Sequence, residues 1–224
     1  MGKDNARTPS RRECLLHCSA WLLGLAVPGL AGAQAAAPHA PLILVLGDSL
    51  SAEYGLVRGQ GWVALLEQRL QRQKLPQQVL NASISGDTTA GGRARLGALL
   101  QRHRPAIVII ELGANDALRG LPLASSRDNL LTMVRDARAA GARVLLVGMQ
   151  LPPNYGASYG REFADLFAQV ARSEKTALAP FLLKGVADRD DAAAWFQADR
   201  LHPLARAHPL MLDNVWPALR PLLS

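Results

Sequence analysis

Scattered along this sequence are residues of the types that acyl transfer needs. Ser49 stands in the turn Gly47-Asp48-Ser49-Leu50-Ser51, directly after an apolar run, and His202 stands in Asp199-Arg200-Leu201-His202-Pro203. A serine hydroxyl is a poor nucleophile until a base takes its proton. Imidazole, which titrates near neutral pH, suits that task. Asp199 precedes His202 by three residues, a spacing that would let it orient the ring within one helical turn. The oxyanion that develops on an attacked carbonyl needs fixed donors, each worth about 2.7–4 kcal/mol of barrier. The backbone N–H groups of Ser49 and Gly86 and the side-chain amide of Asn115 could supply them. Taken singly, each residue has a plainer reading. Ser49 could cap a helix, Gly86 could serve a turn with positive φ, and Asn115 could close an Asx turn. Only the set points to chemistry.

The elements around these residues explain how they could meet. Apolar runs at Leu42–Leu46, Gln78–Ala82, Ala106–Leu112, Arg143–Gly148 and Ala177–Leu182 read as strands, the last placed at an edge by its Pro180. Between them, Trp62–Gln71, Ala90–His103, Ser126–Ala140, Phe163–Ala171 and Met211–Leu219 show helical spacing of apolar residues. Unbroken apolar strands alternating with amphipathic helices imply one α/β domain, a parallel sheet with helices on both faces. In such a sheet ligands bind beyond the carboxyl ends of the strands. Ser49, Gly86 and Asn115 each stand just after a strand, and Asp199 and His202 follow the last one at a longer remove.

The order of these blocks resembles the GDSL, or SGNH, hydrolase family. Ser49 falls in its GDS block, Gly86 in the second, Asn115 in Gly113-Ala114-Asn115-Asp116, and Asp199 with His202 in the Asp-x-x-His block. Asn81–Thr88, Glu111-Leu112-Gly113, Leu118-Arg119-Gly120 and Leu151-Pro152-Pro153-Asn154-Tyr155-Gly156 look like the secreted bacterial multifunctional thioesterase/lysophospholipase/arylesterase group. The resemblance implies a three-layer α/β/α, flavodoxin-like five-stranded parallel sheet of order 2-1-3-4-5. It also implies a Ser49–His202–Asp199 triad, an oxyanion hole of Ser49, Gly86 and Asn115, and activity on esters, acyl thioesters and lysophospholipids. Over Ala117–Leu123 it implies a segment that borders the acyl site and moves on binding, with Leu118, Arg119, Gly120 and Leu121 as candidate substrate contacts. Tyr155, like Tyr159, follows the fourth strand and is a further candidate for the substrate groove. The α/β-hydrolase elbow G-x-S-x-G does not fit, because Ser51 stands where its last glycine belongs. A carbohydrate acetyl esterase of the same family is the alternative substrate reading. A phosphate-binding module without catalysis is disfavoured by the single glycine and acidic Asp48 of the first turn.

Composition bounds the rest. Residues 1–33 read as a secretory signal peptide: a basic start at Arg7, Arg11 and Arg12, a mostly apolar run from Leu15 to Leu30, and small residues up to Ala33. Ser10-Arg11-Arg12 also resembles a twin-arginine signal. Residues 34–41 read as an Ala/Pro linker and 42–224 as the catalytic domain. Both cysteines, Cys14 and Cys18, fall in the leader, so a mature enzyme in the periplasm or medium would have neither disulfide nor thiol nucleophile. The formal charge of +7 leaves about +5 on the mature chain. The arginines are spread, without the basic stripe that nucleic acid calls for, although a mild attraction to lipid surfaces is compatible with them. His39, His103 and His208 lack a second ligand at metal spacing, so neither metal nor cofactor is expected, and a monomer is. Asp48 and Asp116 read as supports of their turns, and His208 as lying near the start of the last helix.

Overall fold

The computed structural model describes residues 40–224. The leader, residues 1–33, and most of the 34–41 linker lie outside the described residues. The elements follow in the order β1 (Leu42–Gly47), α1 (Trp62–Arg72), β2 (Gln78–Asn81), α2 (Thr89–His103), β3 (Ile107–Glu111), α3 (Ala114–Leu118), α4 (Leu123–Ala139), β4 (Arg143–Val147), α5 (Ala157–Glu174), β5 (Ala177–Ala179) and α6 (His208–Leu219). The strands form one parallel sheet of order β2-β1-β3-β4-β5. Helix α1 packs against α6, and α4 lies between α2 and α5.

Burial explains the sequence pattern. Ile43 to Leu46 and Ile107 to Ile110 are buried because β1 and β3 are central and have helices over both faces. Strand β5 is an edge strand, but it stops at Ala179, so Pro180 lies just beyond it and interrupts no ladder. The helices extend past the periodic stretches. Helix α5 begins at Ala157, since its exposed first residues carry no apolar signal, and α4 begins at Leu123, whose buried side chain is followed by the exposed Ala124 and Ser125. Helix α3 has only 5 residues, too few for a period to show.

The chain runs β1–α1–β2 to one side, then crosses back over β1 to β3. The sheet therefore reverses its winding direction between β1 and β3, and a crevice opens where their carboxyl ends diverge. Ser49 follows β1 and Asn115 follows β3, on the two sides of that switch point.

Candidate active site

The first strand leads into an irregular turn rather than a helix. The Asp48 carboxylate accepts the N–H of Leu50 at 3.0 Å, and the Asp48 carbonyl accepts the N–H of Ala52 at 2.9 Å. Asp48, not Ser49, thus does the capping, and the Ser49 hydroxyl is left free to turn toward His202. Its Oγ lies 2.8 Å from His202 Nε2, and His202 Nδ1 lies 2.7 Å from Asp199 Oδ2. With Nδ1–H donated to the carboxylate, Nε2 presents its lone pair to the serine hydroxyl.

Asp199 and His202 do not share a helical turn. They sit in a tight loop closed by the antiparallel bridge between Phe196 and Pro203 and by the Gln197 N–H donating to the His202 carbonyl at 2.8 Å. The other carboxylate oxygen, Asp199 Oδ1, accepts the N–H groups of Leu201 at 2.9 Å and His202 at 3.0 Å. An aspartate that bonds its own following backbone folds the loop and aims the histidine at once. Partial burial opposes ionisation of Asp199, but the hydrogen bonds from the His202 backbone, the His202 ring and Leu201 outweigh it and hold the carboxyl at about 2. Tyr54 packs on the His202 ring, 4.3 Å between centroids, and the Tyr54 carbonyl accepts from Gln197 Nε2 at 2.9 Å.

The candidate oxyanion donors come from neighbouring strand ends. The loop after β2 is tied to β1 by the Ile84 N–H donating to the Gly47 carbonyl at 3.0 Å. Gly86 adopts φ +79, as its turn reading anticipated. Among the described residues no group accepts the N–H of Ser49 or of Gly86. Asn115 lies in α3 and donates through Nδ2 to Asp48 Oδ2 at 3.1 Å, which leaves its second amide hydrogen available. Asp116 is buried and takes the Thr89 N–H at 2.8 Å and the Ser126 hydroxyl at 3.2 Å, so it locks α3 to the starts of α2 and α4.

Of the substrate residues named from sequence, Leu118 lines a cavity of about 460 Å³, together with Leu50, Met149, Leu151, Phe181 and Leu183. Arg119, Gly120, Leu121 and Tyr155 lie outside that lining. Arg119 instead donates to the Gly86 carbonyl at 2.8 Å, and Tyr159 donates to the Ala117 carbonyl at 3.2 Å. Ala114, Arg200 and Leu201, sequence neighbours of Asn115 and His202, place the cavity beside the triad. Among the described residues no group of His, Cys, Asp or Glu side chains could hold a metal ion.

Sequence reading missed the support beneath the nucleophile. Glu111 is buried at the end of β3, where its Oε2 accepts the Ser51 hydroxyl at 2.7 Å. Ser51 Oγ in turn accepts from Trp62 Nε1 at 3.2 Å, and the Trp62 backbone N–H donates to His208 Nδ1 at 3.0 Å. Gly47 is required here: a Cβ would come within 2.7 Å of Ser51 Oγ and 2.9 Å of Glu111 Oε2. Burial, reinforced by the nearby Asp48 charge, pushes Glu111 well above the usual carboxylate range. Burial likewise raises Asp48 to about 6. The available signal was one acid in an otherwise apolar strand, Ile107-Val108-Ile109-Ile110-Glu111.

His208, the first residue of α6, is held neutral, its value lowered by burial from 6.5 to about 4. The unfolded chain therefore takes up a proton below about pH 6.5 that the fold refuses until about pH 4. Stability is lost across that window as pH falls, on the order of 3 kcal/mol. His208→Gln, which keeps an acceptor for Trp62, removes this loss, while the opposite contribution of Asp48 is common to both proteins. Urea unfolding at pH 7 and pH 4 should show wild type losing about 3 kcal/mol more than the variant. Equal losses would contradict the neutral buried state.

A parallel α/β sheet with Ser, His and Asp in one hydrogen-bonded line at its switch point defines a serine hydrolase. The model of the GDSL-like lipase/acylhydrolase family matches residues 45–210. "Esterase TesA" of Pseudomonas aeruginosa is 54% identical over 184 residues, 82% of this chain and 90% of that protein. "Thioesterase 1/protease 1/lysophospholipase L1" of Escherichia coli K12 is 39% identical over 188 residues, 84% of this chain and 88% of that protein. Among solved structures, a crystal structure of TesA superposes with TM-score 0.78 at 54% identity, covering 81% of this chain and 99% of that one. The psychrotrophic esterase EstA from Pseudoalteromonas sp., solved inhibited by monoethylphosphonate, gives 0.76 at 39% identity, covering 81% and 98%. The chain belongs to the GDSL-like lipase/acylhydrolase family and is an ester-bond hydrolase.

Proposed function

We propose that the enzyme hydrolyses carboxylic esters of apolar acyl groups, with acyl thioesters and lysophospholipids in its range, through a covalent intermediate on Ser49. The observation that carries this reading is the line from Ser49 Oγ through His202 to Asp199, 2.8 and 2.7 Å. His202 takes the hydroxyl proton as Ser49 attacks the carbonyl carbon. The oxyanion is received by the N–H groups of Ser49 and Gly86 and by Asn115. The imidazolium, steadied by ionised Asp199, gives its proton to the leaving alcohol or thiol, and the acyl-enzyme forms. Water then enters, His202 deprotonates it, and the carboxylic acid departs with the Ser49 hydroxyl restored.

The acyl chain occupies the cavity bounded by Leu50, Leu118, Met149, Leu151, Phe181 and Leu183, whose walls are mostly apolar. An acetylated sugar would need a shallow polar recess instead. Arg119 acts at one remove, anchoring the loop that carries the Gly86 N–H by donating to the Gly86 carbonyl. The enzyme works as a monomer in the periplasm or medium after residues 1–33 are removed. Among the described residues no helix is long and apolar enough to cross a membrane.

Hydrolysis of p-nitrophenyl esters of increasing chain length tests the substrate reading. Each methylene buried contributes about 0.8 kcal/mol, so kcat/KM should climb about three- to fourfold per carbon until the cavity is full. A maximum at acetate would favour the sugar esterase and contradict the acyl-groove reading.

A further inference from the structure

Ser49 and His202 are brought together by two segments far apart in the chain. One is the turn after β1, and the other is the loop 196–204 in the long connection after β5. Strand β1 is central and anchors the first segment, but the second belongs to no strand of the sheet and to no helix. Its internal bonds give it shape: Phe196 bridges to Pro203, the Gln197 N–H donates to the His202 carbonyl, and Asp199 takes the N–H groups of Leu201 and His202. None of these bonds fixes its distance from Ser49.

Among the described residues, two hydrogen bonds join the loop to the turn. One is the 2.8 Å contact of Ser49 Oγ with His202 Nε2. The reaction itself breaks that bond, since the hydroxyl proton moves to His202 and the acyl group then occupies the oxygen. The other runs from Gln197 Nε2 to the Tyr54 carbonyl at 2.9 Å and takes no part in the chemistry.

The Gln197 amide grips both segments at once. Its Nε2 also lies 3.3 Å from the carbonyl of Pro203, the residue after His202. Carbonyl oxygens only accept, so the NH₂ end of the amide, with two hydrogens to give, is the end that faces them. Tyr54, held by this bond, packs its ring on the His202 ring. Gly55 makes room for the amide: it adopts φ +70, and a Cβ there would collide with Gln197 Oε1 and stand 2.8 Å from Nε2.

We propose that Gln197 is a positioning residue for acyl transfer, acting through the Tyr54 and Pro203 carbonyls to keep the His202 ring at bonding distance from Ser49 while their own bond is broken and remade. Without the amide, the loop keeps its internal bonds but loses its tie to the turn. A reacting group misplaced by about 1 Å costs about a hundredfold in rate. This role rests on the function proposed above, in which His202 is the base.

Hydrolysis of p-nitrophenyl butyrate by Gln197→Ala, Gln197→Glu and Gly55→Ala tests it. Gln197→Ala should lower kcat between about tenfold and a hundredfold. Its KM should move less than about twofold, because Gln197 does not line the acyl cavity. Gln197→Glu fills the same space but is ionised at neutral pH and has no hydrogen to donate, so it should lose at least as much. Gly55→Ala, which displaces the amide, should lose a comparable factor and add little to the loss of Gln197→Ala. The cycle with His202→Ala separates aiming from general loosening. With no imidazole left to aim, Gln197→Ala should change the residual rate less than about twofold. Either Gln197 variant working within about twofold of the wild-type kcat would overturn the proposal. So would a loss that multiplies in full onto that of His202→Ala. In both cases an inactive His202→Ala leaves the proposed function standing, whereas His202→Ala at the wild-type rate would overturn that function and this role together.

Discussion

Ser49→Ala lowers kcat for p-nitrophenyl butyrate on the order of 10⁶-fold, the loss seen when a serine nucleophile is removed from an intact triad. Alanine leaves His202 and Asp199 bonded to each other and the Asn115 amide on Asp48, because none of these contacts runs through Ser49 Oγ. The half-buried hydroxyl makes a single side-chain hydrogen bond, to His202. Its loss should therefore cost no more than about 1.5 kcal/mol of stability. The activity of the variant, read against its urea midpoint, separates a chemical role from a structural one. A folded variant retaining a tenth of wild-type kcat would mean that another group is the nucleophile.

His202→Ala is expected to cost a comparable factor, again on the order of 10⁶ in kcat. Here the pH profile is as informative as the rate. In wild type kcat/KM falls on acidification, because a protonated imidazole cannot accept the Ser49 proton. Asp199 is not the source of that fall, since it stays ionised down to about pH 2. Without His202 the residual rate loses the acid limb and tracks hydroxide instead. Measurement of kcat/KM from pH 5 to pH 9 for both proteins checks this. A variant that keeps the wild-type profile within tenfold in rate would remove His202 from the mechanism.

Much of the architecture could be read from residues whose surroundings are dictated locally. Ile43–Leu46 and Ile107–Ile110 are apolar without interruption because they are covered on both faces, and that pattern needs no knowledge of the partners. The residues after the strands were legible for the same reason, as a parallel sheet leaves one end for function. Other features depend on contacts that no window along the chain contains. The bonds joining Glu111 to Ser51 and Trp62 to His208 span 60 and 146 residues. Glu111 drew attention only as part of a family-like segment, although a lone acid in an apolar strand is itself a sign of a buried partner.

Two differences have simple geometric causes. The Asp199–His202 spacing is compatible with a helical turn, but the carboxylate bonds the N–H groups of Leu201 and His202 and makes a tighter loop instead. In the expected substrate segment, only Leu118 lines the cavity, because Gly120 and Leu121 lie past the end of α3 and are exposed. Phe181 and Leu183 also line the cavity, and both lie in the long connection after β5, because the strand stops at Ala179 rather than running on to Leu182.

The central claim is that Ser49 is the residue acylated in turnover, and diethyl p-nitrophenyl phosphate addresses it directly. The serine oxygen attacks phosphorus, p-nitrophenolate leaves, and the hydroxyl proton passes through His202 to solvent. Peptide mass spectrometry with fragmentation then places the diethylphosphoryl group. The expected result is one group on Ser49, with activity lost in proportion to labelling, and none on Ser51, which is 1% exposed and bonded to Glu111. A label on Ser51 or on any other residue accompanying full inactivation would contradict the account.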